Sequence, residues 1–282
     1  MKFESFYPNH SLLKNLIEYY YFQETNSDNF STEYYSFPNI FLALNIHKKV
    51  TCKINRHHVK VNGGQGNGYL MILNAVFELP LHVQQKGKID KVTIVFKPLG
   101  LNHFIKAPFN EVVQNTTQIF AQWAKERNTE KFFNQFFSEK DNCKRIIILE
   151  NYLLSLYKPF NEYSFLNDIV NRLTDFSKEV SIEDIAKDFS ISSRTLNRIF
   201  KKHIGISPVQ FKKIARFRHS LTNRLFKSEF NTLTKIAYES NFYDQSYFIK
   251  IYKNLTEQNP KKFFNSIEKL ADDKLIFKFI LK

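Results

Sequence analysis

The chain has 282 residues, 43% hydrophobic and 16% aromatic, with seven glycines and eight prolines; this supports a folded core and excludes disordered, collagenous and low-complexity architectures. Forty-one Lys and Arg face 27 Asp and Glu, a formal net charge of +14 that favours polyanionic partners, nucleic acid or an anionic membrane surface, although a lysine-rich codon bias produces the same excess. Two cysteines, Cys52 and Cys143, with no CxxC spacing, exclude a disulfide framework and a zinc module.

The opening MKFESFYPNHSLLK carries an acid and scattered polar groups where a secretory leader has an apolar run. No segment approaches the roughly 18 unbroken apolar residues of a membrane span, so a cytoplasmic setting with no membrane partner is expected. The aromatic run Tyr19-Tyr20-Tyr21-Phe22 suits core packing, or the lining of a pocket. Residues 34–97 hold short apolar or alternating runs, YYSFPNIFLALNI, VTCKINRHHVKV, GYLMILNAVFEL and KVTIVFK, which predict strands. The cluster Gly63-Gly64-Gln65-Gly66-Asn67-Gly68 lacks GK[ST] and precedes a strand-like run, so a hairpin turn is expected there and not a phosphate loop. His47, His57, His58 and His82 fall among these strands. Adjacent His57 and His58 would point to opposite faces of one strand, and no HxH pair with a following Glu occurs; neither metal nor cofactor is expected.

After Pro98 the periods lengthen. DNCKRIIILENYLLSLYK, 141–158, predicts a helix ending before Pro159, apolar on more than one side. A domain boundary is placed near residues 158–162, with nearly everything after it helical. Between Ser181 and Asn265 stand sixteen Lys and Arg against seven Asp and Glu, so less than a third of the chain carries most of its net charge of +14.

In SIEDIAKDFSISSRTLNRIFKKHIGISPV, residues 181–209, Ile182, Ile185, Ala186 and Phe189 share one helical face behind the N-cap Ser181. After a short break at Phe189-Ser190-Ile191, Ser192 caps a second helix. Its inward stripe is Leu196, Ile199, Phe200 and His203, and its outward stripe is Arg194, Asn197, Arg198 and Lys201. Two short helices, a tight turn and a cationic outer face describe a helix-turn-helix. The pattern recurs. A shift of 51 places Ile182, Ile185 and Ala186 on Leu233, Ile236 and Ala237. A shift of 52 places Leu196, Ile199, Phe200 and Lys201 on Phe248, Ile251, Tyr252 and Lys253, and Pro208 and Phe211 on Pro260 and Phe263. The second turn, around Ser240-Asn241-Phe242-Tyr243, is therefore longer by one residue. A long helix over 208–225 joins the two copies.

This repeat resembles the AraC/XylS family of transcription regulators over roughly residues 163–265, most closely at Asp244-Gln245-Ser246-Tyr247-Phe248 and Asn259-Pro260-Lys261-Lys262-Phe263. It departs from the family at Asn241, where Gly is usual, and at Glu257-Gln258, where Gly and an apolar residue are usual. FESFYPNHSLLKNLIEYYYFQ (3–23), FPNIFLALNI (37–46) and VTIVFKPLGLNHFIKAPFNEV (92–112) resemble, more loosely, the sensor half of a subgroup of these regulators. The expected fold is α+β: a small β-rich, cupin-like sensor domain with trailing helices over 1–158, then an all-α DNA-binding domain over 163–270. The latter holds helix-turn-helix motifs at 181–203 and 232–255 and the linker helix 208–225.

The resemblance implies a bacterial-type regulator in which helices 192–202 and 244–254 enter successive major grooves of double-stranded DNA. Ser193, Arg194, Asn197, Arg198, Gln245, Ser246, Ile249 and Lys250 then face bases, and Lys201, Lys202 and Lys253 face phosphates; for each, a solvated helix face is the alternative. It further implies control by a small-molecule effector or by homodimerisation, with helix 141–158 serving a dimer seam or simple interdomain packing, and RNA polymerase as a further partner. No ligand contact is assigned. The competing class is an enzyme, a DNA-alkyl-transfer or cupin-type domain on the same DNA-binding module. Cys52 in TCKIN and Cys143 in DNCKR lack the neighbouring Pro and His of an alkyl-accepting cysteine, and the cupin ligand set is missing, so no enzyme activity is expected.

Overall fold

The structure, a computed structural model, describes residues 1–226, 233–242, 244–270 and 275–280. It has the expected α+β division. In chain order the β-rich part contains β1 (Lys2–Phe6), α1 (Ser11–Leu16), β2 (Ile17–Thr25), β3 (Ser31–Ser36), β4 (Leu42–Lys48), β5 (Val50–Asn55), β6 (His58–Gly63), β7 (Tyr69–Asn74), β8 (Leu81–Lys86) and β9 (Ile89–Phe96). There follow α2 (Phe109–Val112), β10 (Thr117–Ile119), α3 (Thr129–Ser138) and α4 (Asn142–Leu156). The helical part comprises α5 (Tyr163–Thr174), α6 (Ile182–Asp188), α7 (Ser193–Ile204), α8 (Pro208–Phe226), α9 (Leu233–Glu239), α10 (Gln245–Thr256) and α11 (Pro260–Phe264). Two further strands come last, β11 (Glu268–Leu270) and β12 (Leu275–Phe279).

The first sheet runs β1-β2-β9-β4-β7-β10, with every pair antiparallel. The second runs β11-β12-β3-β8-β6-β5, and only β6 with β8 is parallel. The first sheet is covered on both faces, which is why its sequences read as continuous apolar runs. Tyr20, Phe22, Leu44, Ile46, Val92, Ile94 and Phe96 join one core with Leu13, Leu16 and the helices after β9. Tyr19, Tyr21, Ile72 and Val95 join the second sheet in another. The run Tyr19–Phe22 thus serves both core and, through Tyr19 and Tyr21, a cavity wall.

Two local expectations are corrected. Gly63 ends β6 in the second sheet and Tyr69 begins β7 in the first, so the glycine cluster carries the chain between sheets and is no hairpin turn. A Cβ on Gly63 would lie 1.8 Å from the Lys88 carbonyl oxygen, so the crossing demands glycine there. The tight hairpin joins β5 to β6 instead, at Arg56-His57, with Arg56 at φ +47°. His57 and His58 therefore do not lie side by side on one strand, because the first is a turn residue.

Helix α4 starts at Asp141, whose carboxylate accepts the backbone N–H groups of Cys143 and Lys144. Its Ile146, Leu149 and Leu153 pack inward. Arg145, 2% exposed, pairs with Glu24 at 3.1 Å and Asp90 at 2.9 Å and lies over the rings of Phe22 and Phe136. The outer face carries Cys143, Lys144, Ile147, Asn151 and Ser155, of which only Ile147 is a large apolar side chain.

Candidate nucleic-acid interface

The two helix pairs repeat in atomic detail. In the first, Ser181 caps α6 by accepting the Asp184 N–H, and Ser192 caps α7 by accepting the Thr195 N–H. In the second, Asp244 caps α10 by accepting the Tyr247 N–H. At the first turn Ser190 takes φ +56°, with Ser190 N–H donating to the Lys187 carbonyl and Ile191 N–H to that of Ala186. Fifty-one positions on, Asn241 takes φ +54°, with Asn241 N–H donating to Tyr238 and Phe242 N–H to Ala237. The offset is 51 up to Phe242 and 52 from Asp244; Tyr243, where the extra residue falls, lies outside the described residues, as does residue 232 at the expected start of the second motif. Inward positions match as well: Ile185, Ala186, Leu196, Phe200 and Phe211 are buried, and so are Ile236, Ala237, Phe248, Tyr252 and Phe263. Helix α8, amphipathic over 19 residues, lies between the copies, with Phe211 and Ala215 in the first core and Ile214, Phe217 and Leu221 in the second.

The copies differ at the ends of α7 and α10. Gly205 ends α7 at φ +91°, the left-handed cap that glycine adopts freely. Glu257 ends α10 in the same conformation at φ +58°. Glu257→Gly is expected to stabilise the fold by about 1 kcal/mol, because it removes a Cβ from the left-handed region; thermal unfolding checks this, and no rise in Tm contradicts it.

Of the expected DNA-facing residues, Arg194, Arg198, Lys201 and Lys202 are exposed on α7, and Gln245, Ser246, Lys250 and Lys253 on α10. Ser193 and Asn197 are half-buried, and the Asn197 side-chain amide donates to the Ser193 carbonyl at 2.9 Å. Ile249 is half-buried against the second core.

The family described as a helix-turn-helix domain matches residues 185–266. The HTH-type transcriptional activator RhaS of Salmonella paratyphi B is 31% identical over 102 residues, 36% of this chain and 36% of that protein, and RhaS of Salmonella newport matches equally. The match thus spans about a third of the curated relatives' length. ToxT from Vibrio cholerae is similar over 86% of this chain and 98% of its own, at 12% identity and a TM-score of 0.47. A transcriptional regulator of Chromobacterium violaceum with an AraC-type DNA-binding domain covers 36% of this chain and 90% of its own, at 21% identity and a TM-score of 0.32. The doubled motif of this chain, its matched caps and the RhaS similarity agree. The C-terminal part of the chain is an AraC-type double helix-turn-helix domain.

The AraC-type domain is docked on the β-rich part at both of its halves. Helix α2 packs on α7, where Phe109 lies under Gly205, and Asn102 Nδ2 donates to the His203 carbonyl at 3.0 Å. Phe37 and Val76 enter the core of the second motif, with Phe37 edge-on to Phe263 at 4.7 Å. Arg218 of α8 donates from Nε to the Pro38 carbonyl and from a terminal nitrogen to that of Phe37, both at 2.6 Å.

Arg218 also reaches a cavity of about 100 Å³ between the two sheets. The facing side of the first sheet is unusual for a sandwich interior. Register places Gln23 beside Lys91 and Lys91 beside His47, then Tyr21 beside Thr93 and Thr93 beside Asn45. Polar side chains thus occupy positions where apolar ones are expected to interdigitate. Burial pushes the Lys91 ammonium down to about 7, and Lys91 Nζ lies 4.9 Å from the centre of the Tyr21 ring. Burial, then the neighbouring Lys91, holds the His47 imidazole well below its ordinary range. His47 Nδ1 and Asn74 Oδ1 have no hydrogen-bond partner among the described residues. Burial brings Arg218 down to about 10. No Asp or Glu lines this cavity among the described residues. Helical periodicity and the family resemblance point to the DNA-facing residues; of the cavity residues the sequence marks Tyr19 and Tyr21, in an aromatic run, and His47, but not Lys91, Asn45, Asn74 or Arg218. Of the two cysteines, Cys52 is half-buried, its thiol pushed up to about 11 by burial, and Cys143 is exposed at the start of α4, well apart from it on the fold.

Proposed function

We propose that the protein is a one-component, sequence-specific transcription regulator, with residues 1–158 as sensor and residues 163–270 as reader. The observation that carries the reading is the repetition of a capped recognition helix, each copy presenting exposed cationic and polar side chains. In this reading α7 and α10 enter successive major grooves, about 34 Å apart along one side of the duplex. Arg194 and Arg198 offer paired donors to guanine, and Gln245, Ser246 and Lys250 offer hydrogen bonds. Asn197 reads adenine once its amide leaves the Ser193 carbonyl, and Ser193 stands at the first turn of α7 toward the DNA. Ile249 touches a thymine methyl with the half of its side chain left uncovered. Lys201, Lys202 and Lys253 meet phosphates. The relatives that match this region are transcriptional regulators, which supports a non-enzymatic role and a cytoplasmic setting.

Footprinting of the full-length chain on fragments from its own genomic neighbourhood tests this. Protection of two adjacent major grooves on one face, with affinity falling steeply as salt rises, is the expected result. Diffuse, sequence-indifferent protection contradicts it. Lys201→Ala is expected to weaken every site alike and to reduce the slope of log K against log salt by about 1; an unchanged slope removes Lys201 from the phosphate contacts.

The cavity supports an effector of one chemical class, a small apolar acid. Its walls are mostly aromatic and aliphatic, while its cationic side chains, buried Lys91 and half-buried Arg218, have no carboxylate beside them in the lining. A bound carboxylate supplies the missing counter-charge, and the apolar walls take the remainder.

A further inference from the structure

The second sheet contains a strand from the far end of the chain. β12 pairs antiparallel with β3, Phe277 opposite Ser36, Lys278 opposite Tyr35 and Phe279 opposite Tyr34, and the Ile280 N–H donates to the Glu33 carbonyl at 2.8 Å. Its side chains have two roles. Leu275 and Phe277 point inward, line the cavity and pack with Tyr34, whose ring centre lies 4.5 Å from that of Phe277. Ile276, between them, reaches the cavity as well and packs against the core of the second helix-turn-helix motif. Three residues, 265–267, separate α11 from β11, a span of roughly 13 Å at most, so the seated hairpin holds the end of the AraC-type domain close to the sheet.

We propose that β12, with β11 beside it, is a removable wall of the effector cavity and, through Ile276, a clasp that helps keep the DNA-binding domain docked. This rests on the effector reading of the cavity given above. The free volume inside the cavity, about 100 Å³, is smaller than the ~150 Å³ that admits benzene, so a ring-sized acid seated against Lys91 has to move a wall. β12 is the wall that can move. Three ladder positions hold it to β3, against six between β3 and β8, and its partner on the other side is the three-residue β11. Entry of an acid between Phe277 and the Lys91 layer therefore unseats β12, and unseating β12 removes Ile276 from the second motif. Filling the cavity and loosening the second motif from the sheet are one event.

Hydrogen–deuterium exchange without added ligand separates this from the effector reading, which is tested by acid binding alone. Three samples suffice: the full chain, a chain ending at Ser266, and Tyr35→Cys/Lys278→Cys in a Cys52→Ser/Cys143→Ser background, oxidised and reduced. Truncation is expected to speed exchange at least tenfold in residues 36–42 and 213–222 as well as in β3, with α3 and α4 unchanged. Acceleration confined to β3 overturns the clasp, since β12 is then only a sheet edge. If α3 and α4 also accelerate, the truncated chain has lost its fold and the cross-linked pair decides. Oxidation is expected to slow exchange in residues 213–222 at least fivefold relative to the reduced form, and equal exchange in the two forms overturns the proposal.

Discussion

Arg198→Ala is expected to lower affinity for the protein's own operator by roughly 5- to 150-fold, about 1–3 kcal/mol, while leaving binding to unrelated duplex nearly unchanged. The asymmetry has a geometric cause. Arg198 is exposed on α7, one turn beyond Arg194, and its planar guanidinium can give two parallel hydrogen bonds to one guanine. Lysine keeps the charge without the fork. Arg198→Lys is therefore expected to restore the salt-dependent part of the affinity and not the discrimination. Titration of specific and scrambled duplexes at two salt concentrations checks both. Equal losses on the two duplexes would make Arg198 a phosphate contact and move base reading elsewhere on α7.

Lys91→Met is expected to stabilise the folded protein by as much as roughly 4 kcal/mol at pH 7 and to abolish carboxylate binding. Burial lowers Lys91 from 10.5 to about 7, so between these values the folded side chain is neutral while the unfolded one remains protonated. The unfolded state binds the extra proton, and stability of the native chain rises with pH across that window. Below about pH 7 the burial cost is present in full. The methionine chain has neither the cost nor the slope, and denaturant titrations at pH 6, 8 and 10 distinguish the two proteins. A ligand carboxylate, by contrast, selects protonated Lys91. Binding of benzoate or octanoate is expected to weaken about tenfold per unit above pH 7, and a pH-independent affinity would place the acid away from Lys91. The function of the residue thus opposes its stability, the usual relation where a polar group lines a binding cavity.

The helical half was legible because its determinants are local. Ser181 and Ser192 announce helix starts, the i, i+3, i+4 spacing of Ile182, Ile185 and Ala186 fixes a buried face, and repetition at 51–52 residues converts a common pattern into a specific one. The strands were legible in outline, but their partners were not. The glycine cluster has the chemistry of a tight turn, yet β7, the strand after it, pairs in the other sheet, a choice made by contacts remote in sequence. The cavity leaves only a faint trace: Asn45 and His47 in LALNIHK, and Lys91 and Thr93 in DKVTIVF, are polar residues at alternate positions within runs otherwise fit for a core. LIFKF at 275–279 alternates as a strand should, but it comes after a long helical region and its partner β3 stands near the beginning of the chain.

That pairing also orders the assembly of the molecule. Residues joined in the β3–β12 ladder are about 240 positions apart, so among the described strand pairings their contact closes the longest loop and carries the largest entropic delay. Until it closes, β3 is an uncovered sheet edge rich in aromatic side chains, the kind of surface through which chains join one another. The helical domain, rich in local contacts, folds within that loop and brings its end to the waiting edge. A molecule whose helical half is correctly built is in this way the one whose second sheet becomes complete.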